Sequence, residues 1–241
     1  SGAGSGGVVG AVVCVTITYH RDLIQGSDAW LAARQGMLTA SEIKLILTPK
    51  LKIATNDKAS AHLYELLAQR ITGHVEPRYI SDDMLRGQVD EIDARALYTR
   101  HYAPVEEVGF VTNNQWGFTL GYSPDGLVGD DGLIEVKSRR QKFQAQTIIS
   151  GVMPDDYTIQ VQTGLLVTGR RWCDFVSYSG GMPMVTIRVA ADKDVQDAII
   201  DAARSFEAAA SEMMAAYRAR LNDTARLIPT ERRIEQEMQI L

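Results

Sequence analysis

Residues 123–140 read SPDGLVGDDGLIEVKSRR, and no other stretch of the chain narrows the fold so far. Two apolar runs flank Gly-Asp-Asp-Gly, a tight-turn signal. Strands over 126–129 and 133–137 therefore fold back on each other as a hairpin. Alternate side chains of a strand share a face. Glu135 and Lys137 thus project one way, toward solvent or a ligand, while Ile134 and Val136 enter apolar packing. Asp125 stands ten residues before Glu135, fixed by a Ser-Pro-Asp-Gly turn. The hairpin can return its carboxylate beside Glu135.

Two carboxylates meeting at one point repel unless a cation lies between them. Magnesium suits such a pair, because it takes oxygen ligands and keeps several waters beside one or two carboxylates. The Val136 carbonyl can add a third oxygen. A bound ion of this kind activates water and polarises a phosphate. Lys137, on the same face, can orient that water or offset developing charge. The plain alternative is a solvated turn with surface charges, since D-x9-E-x-K spacing is common.

Around the hairpin, the periodicity predicts helices, then strands, then helices, strands and a last helix. Ser27 or Asp28 can cap a helix to Arg34, closed by Gly36. Thr39 or Ser41 can cap another through Leu47, stopped by Pro49. Helices are expected over 59–71 and from Asp82 or Asp83 to about His101. Strand-forming runs lie over 105–114 and 116–138, cut by Gly, Asn and Asp turns, with further strands over 172–179 and 182–190 and helices over 141–150 and 157–168. Asp192 caps a long helix whose Val195, Ile199, Ala202, Phe206 and Ala209 face inward. Trp30 reads as core. Met84 and Leu85 read either as core or as an apolar wedge that unstacks the end of a duplex. The helix over 198–214 reads as core packing.

Composition excludes several classes. No run approaches the ~18 apolar residues that span a bilayer. Cys14 and Cys173 stand far apart with no companion histidines, which argues against zinc and for a reducing compartment. VVGAVVCVTI lacks the basic flank of a signal peptide. The net charge of -5 counts against nucleic-acid binding. It does not exclude it, because a basic cleft can sit in an acidic body. Residues 1–20 are expected to be a flexible or tag-derived lead able to hold a short strand, 21–220 a single domain and 221–241 a tail. Ile228, Ile234, Met238 and Leu241 of that tail can cover a neighbouring surface. The segment KLKIATNDK (50–58) matches no motif.

Pro124-Asp125 with Glu135-Val136-Lys137 resembles the signature of the PD-(D/E)xK nuclease superfamily. QGSDAWLAARQGMLTASEI, GQVDEIDARALY, SPDGL, the E-V-K strand and YTIQVQTGLLVTG together resemble successive motifs of the YqaJ-type phage recombinases, the family of phage lambda exonuclease. The likeness runs from about Gln25 to about Ser179. It implies an α/β, restriction-endonuclease-like single domain, with a mixed central β-sheet flanked by α-helices. It implies an alkaline-type 5′→3′ exonuclease that digests one strand of double-stranded DNA from its ends to mononucleotides. The remaining 3′ tail would pass to a single-strand annealing recombinase.

By position, the resemblance gives Asp125, Glu135 and the Val136 carbonyl to Mg2+ (two ions, with Mn2+ as a substitute). Lys137 acts on the attacking water, Glu91 is an extra carboxylate and Gln160 an active-site amide. Arg34, Ser41 and Ser123 form a 5′-phosphate pocket. Arg140 adds a cation, with Arg139 and Lys142 as alternatives. The family further implies a homotrimeric ring around DNA, no membrane, and action in the cytoplasm of a bacterial host carrying the phage or prophage. Each residue also has a plainer role. Glu91 suits an i,i+4 pair with Arg95, Arg34 a surface, Ser41 a cap, and Gln160 and Gln162 a polar helix face. An endonuclease of the same fold and a non-catalytic DNA-end binder are the competing functions.

Overall fold

The computed structural model describes residues 16–77, 81–222 and 226–232. Cys14, Ile234, Met238, Leu241 and residues 1–15 of the lead lie outside them. Strands β1 (Ile17–His20), β2 (Leu38–Thr39), β3 (Phe110–Asn113) and β4 (Leu120–Tyr122) form one mixed sheet in the order β1-β3-β4-β2. Strands β5 (Gly126–Val128), β6 (Gly132–Ser138), β7 (Trp172–Tyr178) and β8 (Val185–Ala190) form a second, β5-β6-β7-β8. The architecture is α/β with mixed sheets flanked by helices, as the resemblance implies. Its strands are shared between two sheets instead of one. The chain crosses from the first to the second through Ser123–Asp125.

The predicted hairpin is present. β5 and β6 pair antiparallel, with Gly126 opposite Ile134 and Val128 opposite Gly132. Gly129 turns the chain at φ +54°, a conformation that favours glycine. β6 then pairs in parallel with β7 along its whole length, so it is a central strand.

Seven helices flank the sheets among the described residues: α1 (Asp28–Arg34), α2 (Ile43–Ile46), α3 (Asp57–Thr72), α4 (Asp82–His101), α5 (Gln141–Ser150), α6 (Thr158–Thr168) and α7 (Lys193–Asn222). Ser27, Asn56 and Ser81 cap α1, α3 and α4 through their side chains. α6 is apolar nearly all round and packs on β3, β4, β7 and α7, as a buried helix must. α4 lies over β6 and β7. Tyr98 of α4 donates to Asp174 of β7 at 2.6 Å, and Arg188 of β8 closes on the same carboxylate. That buried network fixes where α4 sits.

The structure corrects several local readings. α2 is a single turn with Glu42 before it and no side-chain cap, so neither Thr39 nor Ser41 caps it. Thr39 belongs to β2, and its hydroxyl donates to Glu42 instead. Residues 48–52 form a tight turn, with Leu47 bridging Ile53, and Asn56 then starts α3. Asp192 does cap α7, but Ala210 is buried on its inner face where Ala209 is only half-buried. Trp30 is half-buried and not core. Met84 and Leu85 are about half exposed, which removes the core reading for both. Ile228 is exposed.

Candidate active site

The hairpin brings Asp125, Glu135 and Lys137 together. β5 begins at Gly126 opposite Ile134, so the Val136 N–H lies beyond that ladder. The Asp125 side chain takes it: Oδ2 accepts from Val136 N at 2.6 Å. Lys137 Nζ lies 2.6 Å from Glu135 Oε1. The same oxygen accepts from Gln160 Nε2, at the start of α6. Glu135 Oε2 accepts from the Tyr122 hydroxyl at 2.7 Å. Glu135 does not meet solvent as its strand position suggests; it is only 1% exposed. Burying a carboxylate is costly unless donors surround it, and three do.

Glu91, on α4, stands at the same place. Arg95 NH1 donates to Glu91 Oε1 at 2.9 Å and to the Asp125 carbonyl at 2.7 Å. The i,i+4 pair therefore exists, and it also ties α4 to the turn that carries Asp125. Gln160 and Gln162 part company here. Gln162 is buried and bonds Ala190 O and Asp192 N, a structural role.

Electrostatics report the crowding of negative charge. The Asp125 carboxyl is held well above its ordinary range, first by burial and then by the charges of Glu135 and Glu91. Glu91 is raised by burial, with Arg95 opposing. Burial works against the Lys137 ammonium, but Glu135 and Asp125 outweigh it and lift its pKa. Among the described residues no three His, Cys, Asp or Glu side chains form a complete metal cage. The candidate ligand atoms, the carboxylates of Asp125 and Glu135 and the Val136 carbonyl, are all oxygen, with Glu135 buried and Asp125 half-buried. Carboxylate pairs completed by water and phosphate are one way in which proteins hold divalent cations.

The raised Asp125 pKa has a testable sign. The folded chain keeps a proton that the unfolded chain has released. Stability from this group is full below the ordinary aspartate value, ~4, and is lost as pH rises through the raised value. The melting temperature of the metal-free chain should fall across that window, and Asp125→Asn should flatten the fall. An unchanged slope in that variant would remove Asp125 as its source. Thermal melts over a pH series make the comparison.

A second cluster gathers Arg34, Ser123 and Ser41 through Thr39. Arg34 donates to Ser123 Oγ at 3.0 Å and to Thr39 Oγ1 at 3.3 Å. Thr39 Oγ1 lies 3.5 Å from Ser41 Oγ. The Arg34 guanidinium stacks 4.2 Å from the centre of the Trp30 ring, and Trp30 Nε1 donates to Ser123 Oγ at 2.9 Å. A stacked, planar fork with hydroxyls beside it suits a phosphate. The four-residue α2 is too short for the helix-terminus contribution expected near Ser41.

A cavity of about 1160 Å³ includes Arg34, Thr39, Glu91, Arg95, Met84 and, next to Asp125, Pro124 in its walls. Arg140 pairs with Asp83 at the start of α4 and joins none of the Arg34 cluster's hydrogen bonds. Arg139 donates to the Tyr157 hydroxyl and stacks on Phe143. Lys142 also lies over the Phe143 ring. Sequence reasoning missed Thr39, Tyr122 and the role of Arg95, and gave Trp30 the wrong place. Only Arg95 left a signal, its spacing from Glu91.

A family model described as YqaJ-like viral recombinase domain matches residues 29–171. No curated protein matches the chain in sequence. Among solved structures, an alkaline exonuclease from Laribacter hongkongensis is 32% identical, with a TM-score of 0.74 over 83% of this chain and 100% of that one. The same enzyme in complex with dAMP gives the same figures. A phage related exonuclease from Haemophilus somnus 129PT has a TM-score of 0.52 at 15% identity, over 73% of this chain and 96% of that one, and shows the fold alone.

Proposed function

The chain belongs to the YqaJ-like viral recombinase family, and on that premise we propose that it is a magnesium-dependent exonuclease acting on the ends of double-stranded DNA. The observation that carries this reading is the meeting of Asp125, Glu135 and Lys137, with Glu91 and Gln160, around the buried Glu135 carboxylate. Asp125, Glu135 and the Val136 carbonyl would hold Mg2+, one ion or two, with Mn2+ as a substitute. When bound, the metal supplies an activated water and polarises the scissile phosphate. Lys137 holds its proton, and its charge faces the phosphate where negative charge grows. Gln160 orients Glu135. Arg95 keeps Glu91 and the Asp125 turn in register.

Direction comes from the second cluster. Arg34, Ser123, Ser41 and Thr39 would bind a terminal 5′-phosphate, so that digestion runs 5′→3′ and releases mononucleotides. Met84, half exposed on the cavity wall, would press between the end base pairs. Arg140 would contact the backbone outside the pocket. The 3′ tail left behind is a substrate for strand annealing. The reading extends to a homotrimeric ring around the duplex and an annealing recombinase as partner, in the cytoplasm of a host carrying the phage. No helix among the described residues is long and apolar enough to cross a membrane.

The test is digestion of linear duplexes bearing 5′-phosphate or 5′-hydroxyl ends, with closed circles alongside. Phosphorylated ends should be digested fastest and circles spared. Cutting of circles would point to an endonuclease, and no release at all to an end-binding module. Arg34→Ala should lower the phosphate-to-hydroxyl rate ratio by about 10–100-fold, the loss of a charge-assisted hydrogen bond. An unchanged ratio would take Arg34 out of the pocket.

A further inference from the structure

Five side chains alternate charge and ring from Lys137 to the protein surface. Lys137 Nζ lies 5.7 Å from the centre of the Tyr157 ring, and the Arg139 guanidinium 5.2 Å from that same centre. Arg139 also lies 5.2 Å from the centre of the Phe143 ring, and Lys142 Nζ 4.7 Å from it. The series begins beside the buried Glu135 and ends on α5, where Phe143 is 40% exposed and Lys142 is exposed. Its rings are firmly seated. Tyr157 packs on Phe175 at 5.2 Å, and Gln144 anchors α5 through Ser177 and the Pro183 carbonyl. Its charge is not neutralised. Arg139 and Lys142 pair with no carboxylate among the described residues. Arg139 donates to the neutral Tyr157 hydroxyl, and its buried Nε finds no acceptor there. Arg140, next in the chain, is held by Asp83. That ion pair sets the series beside the start of α4, where Met84 is exposed.

Cations interleaved with aromatic rings suit a single strand of DNA: phosphates meet the charges and bases stack on the rings, whatever their sequence. An intact duplex cannot use the rings, because its bases are already stacked on one another. We propose that Lys142, Phe143, Arg139 and Tyr157 form a track for single-stranded DNA that leads to Lys137. The inference rests on the nuclease reading above for the destination of the strand; binding on the track is independent of cleavage. Lys142 lies over the Phe143 ring in the free protein. Binding moves its flexible ammonium to a phosphate and opens the ring to a base. A stacked base is worth more than an exposed cation–π contact, so the exchange favours the strand. A strand splayed at Met84 would pass beside Arg140 onto the track.

The experiment is titration of a labelled oligothymidylate of roughly a dozen nucleotides with the full chain in chelator, with a blunt duplex alongside. The wild-type chain should bind the single strand. Phe143→Ala should weaken that binding by about 5–150-fold, the scale of one lost base–aromatic stack, and affect the blunt duplex far less. Phe143→Leu keeps apolar bulk without a π-face and should not restore it. Lys142→Gln should flatten the slope of log affinity against log salt by about 0.7, one phosphate contact on a single strand. It carries the test if circular dichroism shows that the Phe143 variants have lost their fold. Equal losses on duplex and single strand, full rescue by leucine or an unchanged salt slope overturns the track. A wild-type chain that releases nucleotides from linear duplex in Mg2+ but does not bind the oligothymidylate overturns the track alone. A chain that does neither overturns the nuclease reading as well.

Discussion

Asp125→Ala and Glu135→Ala should each abolish nucleotide release while leaving DNA binding largely intact. Both side chains are proposed to hold the ion on which cleavage depends. Losing the transition-state stabilisation that a metal supplies, several kcal/mol, lowers the rate by about 10³-fold or more. The two variants differ in what they do to the fold. Asp125 accepts one backbone N–H, from Val136. Glu135 satisfies Tyr122, Lys137 and Gln160 at once. Its removal leaves three donors facing a gap, so Glu135→Gln, which keeps the volume, is the cleaner variant. Turnover in gel or nucleotide-release assays by either folded variant would reject the metal assignment.

Lys137→Ala should cost about 10²–10³-fold in kcat, or ~3–4 kcal/mol, the usual loss when one preorganised donor to developing charge is removed. KM should change little, because the charge it meets grows only in the transition state. The pair with Glu135 also matters before catalysis. Lys137 offsets part of the negative charge of Glu135, Asp125 and Glu91, so its loss should make the metal-free chain melt lower. Lys137→Arg should not restore the rate, because a planar fork does not place its charge where an ammonium does. A drop in kcat/KM that resides wholly in KM would mark Lys137 as a binding group only.

The E-x-K strand and its hairpin were legible in the sequence because both depend on neighbours a few residues away. Strand alternation placed Glu135 and Lys137 on one face, and Gly-Asp-Asp-Gly dictated the turn. The motifs holding Arg34, Glu91 and Gln160 became legible only in combination, through a family likeness. What stayed hidden depends on contacts between distant elements. Tyr122 reaches Glu135 from another sheet, and Trp30 reaches Ser123 across 93 residues. Such pairings have no period. The alternation rule sent Glu135 to solvent because β6 looked like one side of a two-stranded hairpin. Its parallel pairing with β7, and α6 packed on the side of Leu133 and Phe175, bury that face. The split into two sheets was invisible for the same reason. It depends on the chain leaving one sheet at Tyr122 and entering the other at Gly126.

The central claim is that Asp125, Glu135 and Lys137 form one metal-dependent cutting site. The most direct measurement compares mononucleotide release from a 5′-phosphorylated linear duplex by the wild-type chain in Mg2+, by the wild-type chain in chelator, and by Asp125→Asn in Mg2+. Release confined to the first of these is the expected result. Release that continues in chelator, or in the Asn variant, would contradict it.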